Sequence, residues 1–205
     1  TLNQNMVVIG TSGVGKTTYM IQKILKYVAK GIKVFIIDPE NEYSDIVELL
    51  GGTVVHLSSN AKTKINPLEI FSDIISDDQN ETEDIDIEEV VKDKITRVKG
   101  FCQVLKPDMT QVEKALIDKI LRETYRSSGI LRYRSIHEIK SEQYPTLSNF
   151  YDEIQKLETN DPKRFEKLED FFYILEGYVS GSTTLFNGVT NINLHTNLLS
   201  FDLKS

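Results

Sequence analysis

A chain of 205 residues that is 40% hydrophobic and 27% charged can bury one sizeable core, or a core with a subdomain attached, and lacks the bias of disordered or collagen-like chains. With 24 Lys and Arg against 31 Asp and Glu, its net charge of −7 disfavours non-specific adsorption to DNA or acidic lipid. The single cysteine, Cys102, excludes an internal disulfide, and no apolar run reaches the roughly 20 residues that span a bilayer, so the sequence fits a cytoplasmic chain held at a membrane only through other molecules.

In chain order, an apolar run (Met6–Ile9) leads into a glycine-rich turn, then a helical stretch whose Tyr19, Ile21, Ile24, Leu25 and Val28 form an apolar stripe with lysines opposite. Gly31 is placed to stop that helix, and Val34–Ile37 reads as a second strand. Strand, loop, helix and strand make a βαβ unit, which demands a parallel sheet. A short helix over about residues 44–50 follows, ended by Gly51 and Gly52, and residues 53–57 alternate like a third strand.

The composition then changes. Asp73 to Glu89 carries nine acidic residues and no basic one, the signature of an exposed, self-repelling linker. Helices are predicted over about residues 87–105, 110–126, 147–158 and 162–178. Thr110 with Glu113 forms a capping box, and Asp161 before Pro162 pairs an N-cap with proline at the first helical position. Short β runs return at residues 183–186, 191–194 and 198–203. The expected organisation is a first part of an NTPase core over residues 1–72, an acidic linker and helical subdomain over 73–180, and returning core strands over 181–205.

The segment Gly10-Thr11-Ser12-Gly13-Val14-Gly15-Lys16-Thr17-Thr18 contains the pattern G-x-x-x-x-G-K-[ST] between a predicted strand and a predicted helix, the context that motif needs. Glycines at 10, 13 and 15 let the backbone turn its N–H groups toward an anion, and the following helix adds its positive end. Lys16 brings a point charge to the β and γ phosphates, the Thr17 hydroxyl is a ligand for Mg²⁺, and Thr18 is placed to reach the α phosphate. Phosphate contacts ignore the base, so the loop itself does not choose the nucleotide.

After the loop come DPENEY (Asp38–Tyr43), LLGG (Leu49–Gly52), INPLEI (Ile65–Ile70), TQVEKALIDKILRETY (Thr110–Tyr125), TLSNFYDEI (Thr146–Ile154) and LFNGVTNINL (Leu185–Leu194). In order and spacing these resemble the large cytoplasmic ATPase of conjugative type IV secretion systems, in the FtsK/HerA branch of P-loop motors. The resemblance covers almost the whole chain. It implies a RecA-like α/β fold whose parallel sheet carries an inserted all-helical subdomain, ATP and Mg²⁺ as ligands, a homo-hexamer, membrane channel components as partners, and a place at the inner face of the cell membrane. It also implies a Walker B strand ending in Asp-Glu beyond Ser205, so the chain is expected to be an N-terminal portion of the motor domain, binding nucleotide without robust turnover.

Asp38 ends its strand at the edge where parallel α/β sheets collect ligands and is a candidate for ordering magnesium-bound water. Glu40 and Glu42 are close enough in sequence to serve instead, and Glu42 is either a group that polarises the attacking water or part of a segment that caps the next helix. Lys16, Asp38 and Glu42 are the catalytic candidates. Asp202 ends a strand that mimics a Walker B strand, but Leu203 stands where the catalytic glutamate belongs. DNA contact is not indicated by the charge; its one local candidate is Arg122, Arg126, Arg132 and Arg134 interleaved with Tyr125 and Tyr133. His56, His137 and His195 match no nucleophile or ligand pattern, and His56 reads as a residue at the sheet surface. A nucleotide-binding assembly module that docks channel partners and never hydrolyses ATP is the competing reading. A small-molecule kinase is the third, without an identifiable lid or acceptor pocket.

Overall fold

The computed structural model describes residues 5–57, 62–71, 86–194 and 196–204. The chain forms two compact units: residues 1–61 together with 193–205, and residues 62–192. Most of the acidic stretch expected as a linker, residues 72–85, lies outside the described residues, as does His195.

The first unit is α/β. Its elements are α1 (Lys16–Val28), β1 (Val34–Asp38), α2 (Ser44–Leu49), β2 (Thr53–His56) and β3 (Leu198–Asp202). The sheet is parallel with order β1-β3-β2, so the last strand, which arrives after the long helical excursion, enters between the first two. Helix α1 ends where Gly31 takes φ 70°, a left-handed conformation that costs glycine little. The Ile24 side chain of α1, Val47 of α2, Ile36 of β1 and Leu198 of β3 close one core cluster against a single sheet face. On the opposite face of β1, Phe35 and Ile37 are exposed.

Met6–Ile9, expected as the first strand, pairs with no strand among the described residues, and Met6, Val7 and Ile9 are exposed. An apolar run supplies strand propensity, but a strand exists only where a neighbour supplies the ladder.

The second unit is helical: α3 (Ile87–Leu105), α4 (Gln111–Ser127), α5 (Leu147–Asn160) and α6 (Pro162–Val179), with single 3₁₀ turns at Ile130–Arg132, Ile136–Glu138 and Ser141–Gln143. The ends are set by local chemistry. The Asp86 carboxylate accepts from the Glu88 N–H, Thr110 and Glu113 exchange both bonds of a capping box, and Asp161 caps a helix with Pro162 in its first turn. Ile87, Val91, Ile95, Val98 and Cys102 recur at helical spacing along α3 and are buried with Ile117, Leu121, Phe150, Ile154, Leu168 and Phe171 in one cluster. Tyr151 stacks on Phe172 with ring centroids 4.4 Å apart.

Residues 62–71 and 181–192 pack with the helices, so the units divide at 61/62 and 192/193 instead of at 72/73 and 180/181. Asn66 shows why: its fully buried side chain donates to the Pro145 carbonyl and accepts from the Leu68 N–H, and Leu68 lies in the helical core. The runs at 183–186 and 191–194 are not strands. Lys64 Nζ donates to the Thr184 carbonyl and hydroxyl, Asn66 N–H donates to the Thr190 hydroxyl, and two isolated backbone bonds join Ile65 to Leu185 and Asn191 to Lys64. Side-chain bonds have replaced a ladder there.

Candidate functional site

The glycine-rich turn and the C-terminal ends of the parallel strands belong to the first unit. Gly13 and Gly15 adopt φ 81° and 90°, and a Cβ at either would meet nothing within 4 Å, so backbone conformation is what demands glycine there. Gly10 is different: a Cβ would lie 2.7 Å from Val14 Cγ2. Gly15 is also the N-cap of α1, and it brings no side chain to the first turn, which holds no acidic residue either. The amides of that turn thus remain available to an anion.

Lys16 reaches back over the loop and donates from Nζ to the carbonyls of Gly10 (2.9 Å) and Thr11 (2.8 Å). Its ammonium is held at the mouth of the turn. Thr11, Ser12, Val14 and Thr18 are exposed around it. The Thr17 hydroxyl donates to Glu42 Oε2 at 2.9 Å, joining the turn to the segment after β1.

Asp38 lies behind this contact. It is 1% exposed, and its two carboxylate oxygens accept the backbone N–H groups of Glu42 (3.0 Å) and Tyr43 (2.8 Å). Glu42 does not cap α2, whose N-cap is Tyr43. Burial, then the Glu42 and Asp38 carboxylates, push the Tyr43 phenol above its ordinary range.

Asp202, at the end of β3, is the register partner of Asp38 on β1 and of His56 on β2. Its carboxylate accepts from the Lys204 N–H at 2.9 Å and shares a 2.8 Å hydrogen bond with His56 Nδ1. The Lys204 amide and His56 hold it below the usual carboxylate range. It is therefore committed to side chain and backbone partners at the sheet edge.

Of the residues expected from sequence, Lys16, Thr17 and Glu42 are brought together, whereas Asp38 reaches this group only through the backbone it holds. Two features had no reading in sequence. The His56–Asp202 pair spans 146 positions with no local signal. Asn41 has φ 57°, the one non-glycine residue with positive φ among those described, and asparagine before Glu42 was a visible hint of it.

In the basic stretch of the helical unit, Tyr125 is not available to stack on bases. Tyr125 is fully buried, its hydroxyl donating to the Leu68 carbonyl at 2.5 Å. Arg122 pairs with Asp118, Arg126 with Glu123, and Gln143 donates to the Tyr133 hydroxyl. Cys102 is buried, which pushes its thiol up to about 12. Among the described residues no helix is long and apolar enough to cross a membrane, and no cluster of His, Cys, Asp and Glu is arranged to hold a metal by itself.

The family profile of the TraG P-loop domain matches residues 1–205. An uncharacterized protein of Bacillus anthracis is 24% identical over 213 aligned positions, covering 95% of this chain and 31% of that protein. The structure of VirB4 of Thermoanaerobacter pseudethanolicus superimposes with a TM-score of 0.74 at 23% identity, covering 95% of this chain and 48% of that one, a likeness in fold. The chain spans less than half the length of either.

Proposed function

The chain belongs to the TraG P-loop domain family, and from that premise we propose that it is the nucleotide-binding part of a conjugative transfer or type IV secretion ATPase, holding ATP with Mg²⁺ on residues 10–18. The observation that carries this reading is the convergence at one mouth of the Lys16 ammonium, the Thr17 hydroxyl and the first turn of α1.

The residues fit both groups. The open φ-positive glycines and the amides of α1 suit a phosphate chain, and Lys16 needs only to exchange two carbonyl partners for phosphate oxygens. The Thr17 hydroxyl donates its hydrogen bond to Glu42 and keeps its oxygen lone pairs, which suits it to hold Mg²⁺. Bound Mg²⁺ would supply charge neutralisation for the phosphates. In the whole protein the nucleotide cycle drives substrate transfer or assembly of the channel or pilus. The working form is a homo-hexamer docked to membrane channel components at the inner face of the membrane.

A second reading, a nucleotide-binding assembly module without turnover, is favoured by the state of the acids. Asp38 and Asp202 have committed carboxylates, and the acid hydrogen-bonded to Thr17 is Glu42. Calorimetric titration of ATP with Mg²⁺ into the wild-type chain and into Lys16→Ala, with phosphate release followed on the same samples, tests both. Lys16-dependent binding supports the P-loop reading, and its absence overturns it. Binding without release supports the assembly module; release abolished by Lys16→Ala assigns hydrolysis to these residues.

A further inference from the structure

We infer that the helical unit carries a docking groove for an acidic segment of a partner protein, a segment that anchors one aliphatic side chain between α3, α4 and the 3₁₀ turn at Ile130–Arg132. The inference concerns the helical unit alone and stands whether or not the glycine-rich loop holds nucleotide.

The apolar part of the groove calls for an anchor. Between the N-terminal half of α3 and the C-terminal half of α4 lies a cleft of about 100 Å³, room for one aliphatic side chain. Val91 and Ile95 of α3 and Leu131 of the turn line it. Val91 and Ile95 are 4% and 1% exposed and belong to the core cluster, so the cleft reaches down to the core itself. Leu131 is half-buried and packs against the same cluster. A side chain that enters exchanges water for an apolar surface already in place, the situation of an interface anchor.

The charge around the cleft selects what surrounds that anchor. Lys92 of α3 and Arg122 and Arg126 of α4 also line it, against Glu88 as the one acid among the described residues. All three cations are exposed, as are Arg132 and Arg134 just past Leu131. Lys92, Arg132 and Arg134 form no ion pair among the described residues. Arg122 and Arg126 pair with Asp118 and Glu123 of their own helix, and their side chains stay 53% and 67% exposed. Exposed pairs of this kind are worth little and exchange readily for the carboxylates of a partner. The chain as a whole carries −7, so an acidic segment is attracted to this seam and repelled by the overall field, which fixes where it docks.

A nucleic acid fits less well. Among the described residues no aromatic ring lines the cleft, so a base finds nothing to stack on there, and an apolar floor offers nothing to a phosphate.

The test is fluorescence anisotropy of a labelled peptide of aspartate, glutamate and serine with one central leucine, titrated with the full chain at low salt. Saturable binding is expected, weakened about tenfold when the leucine becomes serine and about tenfold again by Lys92→Glu with Arg126→Glu. Both substituted positions are exposed, and circular dichroism checks that the variant folds. The reversed groove should then prefer a peptide of lysine and serine with the same leucine, a gain that misfolding cannot produce. In nuclear magnetic resonance spectra the acidic peptide should shift the signals of Val91, Ile95 and Leu131. Absence of saturable binding, or binding indifferent to the leucine or to charge reversal, overturns the inference. An oligothymidylate that displaces the peptide and itself loses affinity in the same variant makes the seam a nucleic-acid site and overturns the assigned partner. Self-association of the chain that the same variant abolishes makes the occupant a second copy, and overturns it likewise.

Discussion

Lys106 and Glu113 form a 2.5 Å ion pair whose side chains are 11% and 6% exposed, at the join between α3 and α4. Burial pushes the Glu113 carboxyl up, but the Lys106 ammonium together with the Thr110 hydroxyl and amide outweighs it and holds the group below the usual carboxylate range. Glu113 thus does two tasks, closing the capping box and neutralising Lys106. Lys106→Met leaves a carboxylate without its cation, and we expect a loss of about 3 kcal/mol, the low end for a broken buried pair because the ammonium keeps some water. Adding Glu113→Gln removes the orphaned charge, keeps an acceptor for Thr110, and should restore most of the loss; urea midpoints at pH 7 compare the three proteins. The sign in acid follows from the lowered carboxyl. Its contribution is present above about pH 4.3 and is lost as pH falls through the native value, so Lys106→Met should flatten that part of the acid limb. Sequence made Glu113 legible as a cap because the motif is local. It could not make Lys106 legible as its partner, nor Asp202 as the partner of His56, because those contacts depend on where separate elements are packed. The glycine turn at Gly13 and Gly15 was readable for the opposite reason, because the motif is a contiguous backbone shape.

Helix ends were the most readable elements, since Thr110 and Asp161 bond to amides three residues on, in a geometry that needs no distant segment. Strands were the least readable, because Met6–Ile9 and the runs at 183–186 and 191–194 have the composition of strands without a ladder. The paired glycines after α2 show how much hidden tertiary meaning two letters can carry. Gly51 has φ 73° with open space around it, and Gly52 faces packing: a Cβ there would lie 2.8 Å from the Leu198 carbonyl oxygen, from Leu198 Cγ and from Val47 Cγ1. Backbone oxygen in a parallel ladder cannot step aside. Gly52→Ala should therefore destabilise the β3 junction by about 1–3 kcal/mol through overpacking, and Gly51→Ala by about 1 kcal/mol through backbone strain alone. Hydrogen exchange of the β3 amides separates the two. Gly52→Ala should accelerate exchange at Leu198–Asp202 directly, and equal acceleration by both variants would show that conformation, not contact, explains the pair.

At the scale of the molecule the chain builds one α/β unit from two distant stretches and one helical unit from the residues between them. The sequence placed the start of that excursion at the change of composition near residue 73, whereas the helical unit begins at Lys62. The exact junctions were hidden in residues such as Asn66, whose polar letter gives no sign that its side chain is fully buried among helices. Each unit has its own core cluster, one around Ile24, Ile36, Val47 and Leu198, the other running from Leu68 to Leu175. A ligand stabilises the unit that binds it by an amount set by its concentration over Kd, about 2.7 kcal/mol at a hundredfold excess. Because all the groups proposed to hold phosphate lie in the first unit, ATP with Mg²⁺ should slow exchange in residues 10–18 and 38–43 and in β3, while amides of α4 and α6 keep their rates. The same experiment on Lys16→Ala should show no slowing anywhere. Nucleotide-dependent protection of equal size in α4 and α6 would mean that the two units open as one cooperative body, and the helical unit would then have to be treated as part of the nucleotide-responsive core.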